Sequence, residues 1–176
     1  MLLILIGILI VIGIIIALSL WAPKRYELTR SIIIDRPYTG VFSYLKYLKN
    51  EDHWSPWRKK DVNMKQEFIG DDGTVGFIAK WQGNSDVGLG EQEIINIVEN
   101  KIIETELRFY RPWKSISNAV TKVEDLGKMQ TKVTWSFSGE NKFPTNILML
   151  FYNLDQTIGK DFEEGLANLK KLLEKG

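Results

Sequence analysis

The stretch IGKDFEEGLANLKKLLE, residues 158–174, decides the fold of this chain. Its apolar residues recur every three or four positions, which is the period of an α-helix with one apolar face. Acidic and basic side chains occupy most of the remaining positions, so the opposite face is suited to water. The pattern predicts one long amphipathic helix over about 155–173, with apolar residues at 158, 162, 166, 169 and 173.

Gly165 falls on the apolar face of this predicted helix, seven residues after Ile158. A glycine inside a helix costs about 1 kcal/mol relative to alanine, so a missing side chain at this position must have a use. Two explanations stay open at this point. One is close packing of the helix against a sheet, and the other is space left for a bound molecule.

The chain before this helix has the rhythm of an antiparallel β-meander. Turn-forming residues recur about every 8–12 positions between residues 64 and 140, and the segments between them are rich in β-branched and aromatic residues. The resulting order of one strand, one helix, six strands and a long helix predicts an α+β fold with a curved antiparallel sheet. The predicted strands cover 25–35, 64–69, 74–82, 90–98, 101–110, 115–124 and 130–138, and the first helix of this domain covers 37–49.

The first 22 residues differ from the rest, because 19 of them are apolar and none is charged. A helix from Leu2 to Trp21 would measure about 30 Å, which matches the hydrocarbon core of a bilayer. A signal peptide expects a basic start and a shorter apolar run, and a buried core helix is the third alternative. The sequence favours an uncleaved transmembrane anchor at 1–22, followed by one domain at 23–176.

Composition excludes several classes of protein and site. The chain has no cysteine and only one histidine, His53, so disulfide scaffolds, thiolate zinc sites and Ser-His-Asp triads are ruled out. No phosphate-binding glycine loop is present. We therefore predict no catalytic residue, no metal and no cofactor. A net charge of +1 also argues against nucleic acid as a partner.

Large rings fall on one face of several predicted strands, because alternate residues of a strand share a face. Such a face is either a dense core or the wall of an apolar pocket, and both interpretations stay open. If it is a pocket, the residues predicted to line it are Trp54, Trp57, Phe77, Trp81, Leu107, Phe109, Trp135 and Phe137.

Several short motifs lie along the predicted domain. They are WSPW at 54–57, DGTVG at 72–76, W-x-GN from Trp81, VGLGE at 87–91, ELRFYRP at 106–112, TKVTW at 131–135 and the helix at 158–174. Together they resemble the bacterial SRPBCC family, whose members are commonly labelled polyketide cyclase or START-like. The likeness covers about 25–175.

This resemblance implies the helix-grip fold, in which the last helix lies across a curved sheet of about seven strands. It also implies an apolar ligand in the groove between them, and many members carry one N-terminal membrane helix. Because basic residues follow the apolar segment and none precedes it, the positive-inside rule then predicts that the domain lies on the cytoplasmic side of the bacterial inner membrane. The basic residues are Lys24, Arg25 and Arg30.

Two functions from different classes follow, with a third behind them. The leading hypothesis is a tethered domain that binds a lipid or other apolar small molecule, with an opening near 50–60 or 83–90. The alternative is a cyclase, dehydratase or hydrolase acting on an apolar carbonyl compound, for which His53, Asp86 or Tyr110 could supply an acid or base. The third is a protein-interaction module without a ligand.

Overall fold

The structure is a computed structural model that describes residues 1–151 and 153–175. Its helices are α1 (Leu2–Trp21), α2 (Tyr38–Leu45), α3 (Trp57–Lys60), α4 (Thr145–Leu148) and α5 (Leu154–Lys175), with a 3-10 helix at Leu48–His53. Its strands are β1 (Arg25–Ile34), β2 (Lys65–Ile69), β3 (Ile78–Gln82), β4 (Leu89–Val98), β5 (Ile102–Arg111), β6 (Ser115–Gly127) and β7 (Gln130–Glu140).

The seven strands form one antiparallel sheet in the order β1-β7-β6-β5-β4-β3-β2. From β2 onward each strand pairs with the next one along the chain, and β1 joins the sheet at the other edge through β7. This is the curved sheet of the helix-grip fold, so the predicted fold class is confirmed. Register shifts interrupt β4 against β5 between Leu89 and Gly90 and again between Ile94 and Asn96, where bulges increase the bending of a sheet.

The strand register defines two ends of the molecule. At the end called here the near end, Arg25 pairs with Glu140, Phe109 pairs with Ser115, and Leu89 pairs with Arg111. Helix α1 therefore joins the sheet at the near end, together with the β3–β4 turn, the β5–β6 turn and the segment after β7. The far end carries the β2–β3, β4–β5 and β6–β7 turns.

Helix α5 lies against the sheet and buries the face that its periodicity predicts. Phe162, Leu166 and Leu169 are buried, and all three belong to the main core cluster with Val133 and Trp135 of β7. Polar contacts also tie the helix to β1, because Arg30 donates to Asp155 and Glu163, each at 2.7 Å. The helix is thereby held over one part of the sheet, which leaves a space over the rest.

Helix α1 has no buried residue and projects its apolar side chains away from the domain. It is long and apolar enough to cross a membrane, by its length and composition. Only residues 22–24 separate it from β1.

Two predicted boundaries are corrected by the structure. The helix expected over 37–49 ends at Leu45, and a separate 3-10 helix follows. The strand expected over 74–82 begins at Ile78, because Gly73 and Gly76 adopt φ values of +80° and +90° and extend the preceding turn. Val75 is therefore exposed instead of facing the core.

Candidate functional site

A cavity of about 670 Å³ lies between the sheet and α5. Its floor is formed by the inner faces of β4 to β7, and its roof by the first turns of α5. The 3-10 helix and α3 close one side. Side chains that represent these walls are Leu107, Ala119 and Phe137 of the floor, Ile158 and Phe162 of the roof, and Glu51 and Trp57 of the side.

Aromatic rings fix the boundary between the cavity and the solid core. The rings of Trp135 and Phe162 stack with their centroids 3.9 Å apart, and Trp57 packs edge-on against Trp135 at 5.7 Å. Phe109 meets Trp81 edge-on at 5.7 Å on the other side. Edge-to-face and stacked pairs of this kind are each worth about 0.5–1.5 kcal/mol beyond their buried area. The cavity wall is therefore rigid where it is aromatic.

Two glycines of the VGLGE motif set the position of Trp81. A Cβ on Gly90 would lie 2.5 Å from Cζ2 of Trp81 and 2.6 Å from the carbonyl oxygen of Arg108, so only glycine lets the indole lie flat against β4. Gly88 has a φ of +76°, a conformation that glycine adopts without strain. The indole nitrogen of Trp81 donates to the carbonyl oxygen of Val87 at 3.2 Å, which holds the ring at the cavity wall.

A small polar group interrupts the apolar lining. Nε2 of Gln92 lies 3.3 Å from Oε1 of Glu51 and 3.1 Å from Oγ1 of Thr105, and can donate to both. Next to it, Nε2 of Gln66 donates to Oδ1 of Asp52 at 2.8 Å. The cavity can therefore offer hydrogen-bond acceptors beside its aromatic and aliphatic wall, which is the usual way a pocket orients its ligand.

Burial raises the pKa of Glu51 to about 7, and the hydrogen bond from Gln92 opposes this change only in part. The negative charges of Asp52 and Asp72 raise the pKa further. Glu51 lines the cavity and is only partly exposed. A carboxyl group with such a pKa can both donate and accept a proton near neutral pH.

Several of the charged residues that line the cavity already have partners. Nζ of Lys60 lies 2.5 Å from Oδ2 of Asp161, and Arg58 donates to the carbonyl oxygen of Met64 at 2.7 Å. Both segments that the sequence offered for an opening contribute to the lining, 50–60 through Glu51 and Trp57 and 83–90 through Ser85 and Asp86, and the β5–β6 turn adds Arg111 and Pro112. Within residues 1–151 and 153–175, no group of three or more His, Asp or Glu side chains could hold a metal ion.

Six of the eight residues predicted to line a pocket border this cavity. They are Trp57, Trp81, Leu107, Phe109, Trp135 and Phe137. Phe77 does not, because the turn at Gly76 directs it into a second core cluster with Leu48 and Ile94. Trp54 does not border the cavity either, because it is buried behind Trp135, with the two ring centroids 5.0 Å apart.

Gly165 explains why Trp54 lies behind the wall. A Cβ at this position would lie 3.2 Å from Trp135, 3.3 Å from Pro56 and 3.5 Å from Trp54. Of the two explanations that the sequence left open, close packing is therefore the correct one. The 3-10 helix region and α5 meet here, and Nδ2 of Asn168 adds a hydrogen bond to the carbonyl oxygen of Trp54 at 3.1 Å.

The acid and base candidates chosen from the sequence lie at the cavity mouth or outside it. His53 is exposed and forms a hydrogen bond of 2.9 Å with the hydroxyl of Tyr44. Tyr110 is on the outer face of β5. Asp86 lines the mouth and is exposed. The acid in the cavity lining is the half-buried Glu51, which sequence reasoning missed because the segment NEDH at 50–53 has the composition of a polar loop and no local pattern turns Glu51 inward.

Comparison with solved structures identifies the same architecture in other proteins. Norcoclaurine synthase from Thalictrum flavum, solved with dopamine and hydroxybenzaldehyde, has a TM-score of 0.64 at 12% identity and covers 89% of this chain and 91% of its own. The Aha1 dimer from Colwellia psychrerythraea has a TM-score of 0.59 at 16% identity, covering 85% and 96%. A protein from Nitrosospira multiformis has a TM-score of 0.58 at 18% identity, covering 83% and 94%.

At these identities the likeness shows the fold. No protein-family model and no curated protein matches the chain.

Proposed function

We propose that this protein is a membrane-anchored domain that binds a hydrophobic small molecule or lipid between its sheet and α5. The observation that carries the proposal is the cavity of about 670 Å³ with aromatic walls and one group of hydrogen-bond acceptors. Pockets for small ligands usually measure about 300–1,000 Å³ and have this mixture of lining groups. The third hypothesis, an interaction module without a ligand, is not favoured by so large a cavity.

Burial of apolar surface would supply the affinity. At about 25 cal/mol per Å², a ligand that loses about 400 Å² of apolar area gains roughly 10 kcal/mol before the costs of association. The acceptors at Glu51 and Gln92 would add orientation and little net affinity. We therefore expect a ligand with a large apolar body and one hydrogen-bond donor.

The solved neighbours support this class of ligand. Norcoclaurine synthase was solved with dopamine and hydroxybenzaldehyde, which are small aromatic molecules. Fold likeness alone assigns no function, so we infer the class of ligand from the residues that line this cavity. Rings on three sides favour a flat or flexible apolar body over a compact polar one.

Helix α1 supports the membrane part of the proposal. As an anchor it would hold the cavity near a source of apolar molecules and so raise their effective concentration. The charge flanking it favours a cytoplasmic domain at the bacterial inner membrane. A green fluorescent protein fused after residue 176 should fluoresce, and an alkaline phosphatase fused there should be inactive. The opposite pair of results would reverse the orientation.

The binding proposal is tested by native mass spectrometry of the full chain released from lipid nanodiscs. We expect a bound apolar species in the natural protein and its loss in Leu107→Trp, which fills the cavity. Leu126→Trp is the matched control, because Leu126 lies exposed in the β6–β7 hairpin, away from the cavity. No bound species, or the same species in Leu107→Trp, would refute ligand binding.

One observation favours the enzymatic alternative. Glu51 faces the cavity, and its raised pKa suits a proton transfer on a bound carbonyl compound. The full chain is incubated with aromatic aldehydes and with β-polyketo thioesters, and products are followed by liquid chromatography. Turnover that is lost in Glu51→Gln and kept in Asp86→Asn would establish catalysis. Absence of turnover, or turnover equal in both variants, would exclude Glu51 as the catalytic group.

A further inference from the structure

We propose that the near end of the domain is a membrane-docking surface, formed by the exposed rings of Trp113, Phe143 and Phe151, and that the cavity mouth opens onto the bilayer held by α1. The ligand would then be a bilayer lipid that enters without crossing water. This inference rests on the proposed function, because it needs both the anchor and the ligand site.

The short linker after α1 is the first observation. Helix α1 ends at Trp21 and β1 begins at Arg25. Consecutive Cα atoms are 3.8 Å apart, so these two residues cannot separate by more than about 15 Å. The near end of the sheet is therefore confined to the membrane surface whenever α1 spans the bilayer.

The segment after β7 is tied to the anchor itself. Nδ2 of Asn146 donates to the backbone carbonyl oxygen of Ser19 at 2.8 Å, inside the last turn of α1. Ser19 precedes Trp21, the residue expected at the lipid–water interface. The segment around Asn146 thus lies at the depth of that interface, with Phe143 and Phe151 on either side of it.

The cavity mouth is at this same end. The lining residues that are exposed at the near end are Lys60 of α3, Ser85 and Asp86 of the β3–β4 turn, Arg111 and Pro112 of the β5–β6 turn, and Thr157 of α5. Farther from the near end, Phe68 of the edge strand β2 is the exposed lining residue. A molecule leaving through the near-end mouth would meet the bilayer surface first.

Exposed rings lie at the same end of the domain as this mouth. Trp113 is 57% exposed, Phe143 64% and Phe151 82%, although aromatic side chains of this size are usually buried in a water-soluble domain. The far-end turns at 70–76, 99–101 and 126–129 contain no aromatic residue. Tryptophan and phenylalanine at one end of a tethered domain are the residues that enter the interfacial layer of a bilayer.

Charge at the near end favours an anionic bilayer. The segments 22–25, 83–88, 111–114 and 140–151 contain five basic residues against two acidic ones. Each basic residue near an anionic surface contributes roughly 1 kcal/mol of attraction, and the rings add apolar burial. Together they would hold the mouth against a membrane that contains anionic lipid.

The absence of cysteine allows a direct test with single spin labels. The full chain is reconstituted into vesicles of phosphatidylcholine and phosphatidylglycerol, with one nitroxide on Trp113→Cys or Phe143→Cys. Leu126→Cys, at the far end, is the matched control. We expect the near-end labels to be more accessible to oxygen than to a water-soluble nickel complex, and the far-end label to show the reverse.

Each outcome has one meaning for docking. Water-like accessibility at both near-end labels would overturn it, and so would low accessibility to both reagents, because that pattern indicates burial in a second protein. Docking should weaken, by a several-fold loss of oxygen accessibility, in vesicles of phosphatidylcholine alone.

Native mass spectrometry of the same samples separates this inference from the proposed function. If the near-end labels are accessible to oxygen but no bound species is found, ligand binding is refuted and membrane docking is supported. If a bound species is found but the near-end labels are accessible to the water-soluble nickel complex, membrane docking is refuted and ligand binding is supported. Substitution of all three rings by alanine should slow the uptake of a fluorescent phospholipid several-fold, whereas Leu126→Ala should not.

Discussion

Gln92 joins two parts of the cavity, because its side-chain nitrogen lies 3.3 Å from a carboxylate oxygen of Glu51 and 3.1 Å from the hydroxyl of Thr105. Glu51 belongs to the 3-10 helix, whereas Gln92 and Thr105 belong to neighbouring strands. A polar link between a short helix and the sheet is therefore built into an apolar space. The raised pKa of Glu51 makes this link sensitive to pH.

The half-buried Glu51 makes stability depend on pH. Its pKa is about 7 in the folded protein, above the ordinary value of 4.5. Between these values the folded state binds more protons than the unfolded state, so the free energy of unfolding falls as pH rises through this window. We expect a loss of roughly 2 kcal/mol from Glu51 between about pH 5 and about pH 8, measured by chemical denaturation of the full chain.

The control for this prediction is a second carboxyl variant. Glu51→Gln should flatten the pH dependence over that window, because the amide accepts the hydrogen bond from Gln92 without titrating. Glu27→Gln, on the exposed side of β1, should leave it unchanged. An equal pH dependence in all three proteins would contradict the assignment to Glu51.

Gly90 is predicted to be irreplaceable at the cavity wall. In Gly90→Ala the new Cβ would collide with Trp81 and with a backbone carbonyl, so the indole must leave the wall or the strands must separate. We expect the free energy of unfolding to fall by about 2 kcal/mol or more, with a weaker bound species in native mass spectrometry.

Gly40 provides the opposite case for comparison. No atom lies within 4 Å of a Cβ built there, and the residue lies inside α2. Gly40→Ala should therefore stabilise the protein by about 0.5–1 kcal/mol through helix propensity. Equal effects at the two glycines would show that Trp81 does not depend on Gly90.

Gly165 should tolerate no large side chain. Gly165→Val places branched carbons between Trp135 and Pro56, which are both rings and cannot bend away. We expect about 2–3 kcal/mol of destabilisation in thermal or chemical unfolding. Lys171→Val, on the exposed face of the same helix, loses helix propensity, whereas Gly165→Val gains it, and the Lys171 variant should still cost less than about 1 kcal/mol. Similar values for both would mean that α5 does not pack closely at Gly165.

Arg108 organises the outer face of the sheet, where its guanidinium contacts Glu91, Glu93 and Glu106 at 2.6 Å each. Arg108→Met would leave three carboxylates close together without their partner. We expect a loss of about 1–2 kcal/mol at low salt and a smaller loss at high salt, because ions screen the repulsion.

Arg25→Met is the matched control for this network. Arg25 makes one exposed contact of 3.6 Å with Glu140, and such pairs contribute little. The free energy of unfolding of Arg25→Met should match that of the natural protein at both salt concentrations. A loss for Arg108→Met no larger than for Arg25→Met would show that the network does not contribute to stability.

Local pattern was enough to predict the secondary structure and the class of fold. The 3.6-residue period of α5 and the unbroken apolar run of α1 are properties of neighbouring residues, so both helices could be predicted. The alternation along β5 and β7 also placed Leu107, Phe109, Trp135 and Phe137 on one face. These four residues border the cavity because a strand cannot change face without a bulge.

Two of the residues predicted to line a pocket do not border the cavity, because contacts between residues far apart in sequence decide where their side chains lie. Phe77 alternates with Ala79 and Trp81 of β3, which predicts one shared face. The turn at Gly76 instead directs its side chain into the second core cluster. Trp54 is a tryptophan of the same WSPW motif as Trp57, yet it lies behind the cavity wall. The glycine that allows this packing, Gly165, comes 111 positions later.

The sequence by itself determined the anchor-like helix, the order of strands and helices, and the aromatic inner face, because each follows from periodicity over a few turns or strands. Only the tertiary structure decided that Gly165 marks contact instead of space, that Glu51 faces the cavity, and that the cavity opens at the end carrying α1. The physical reason is that these three features depend on contacts between segments far apart in sequence, which β-strand register and helix packing bring together.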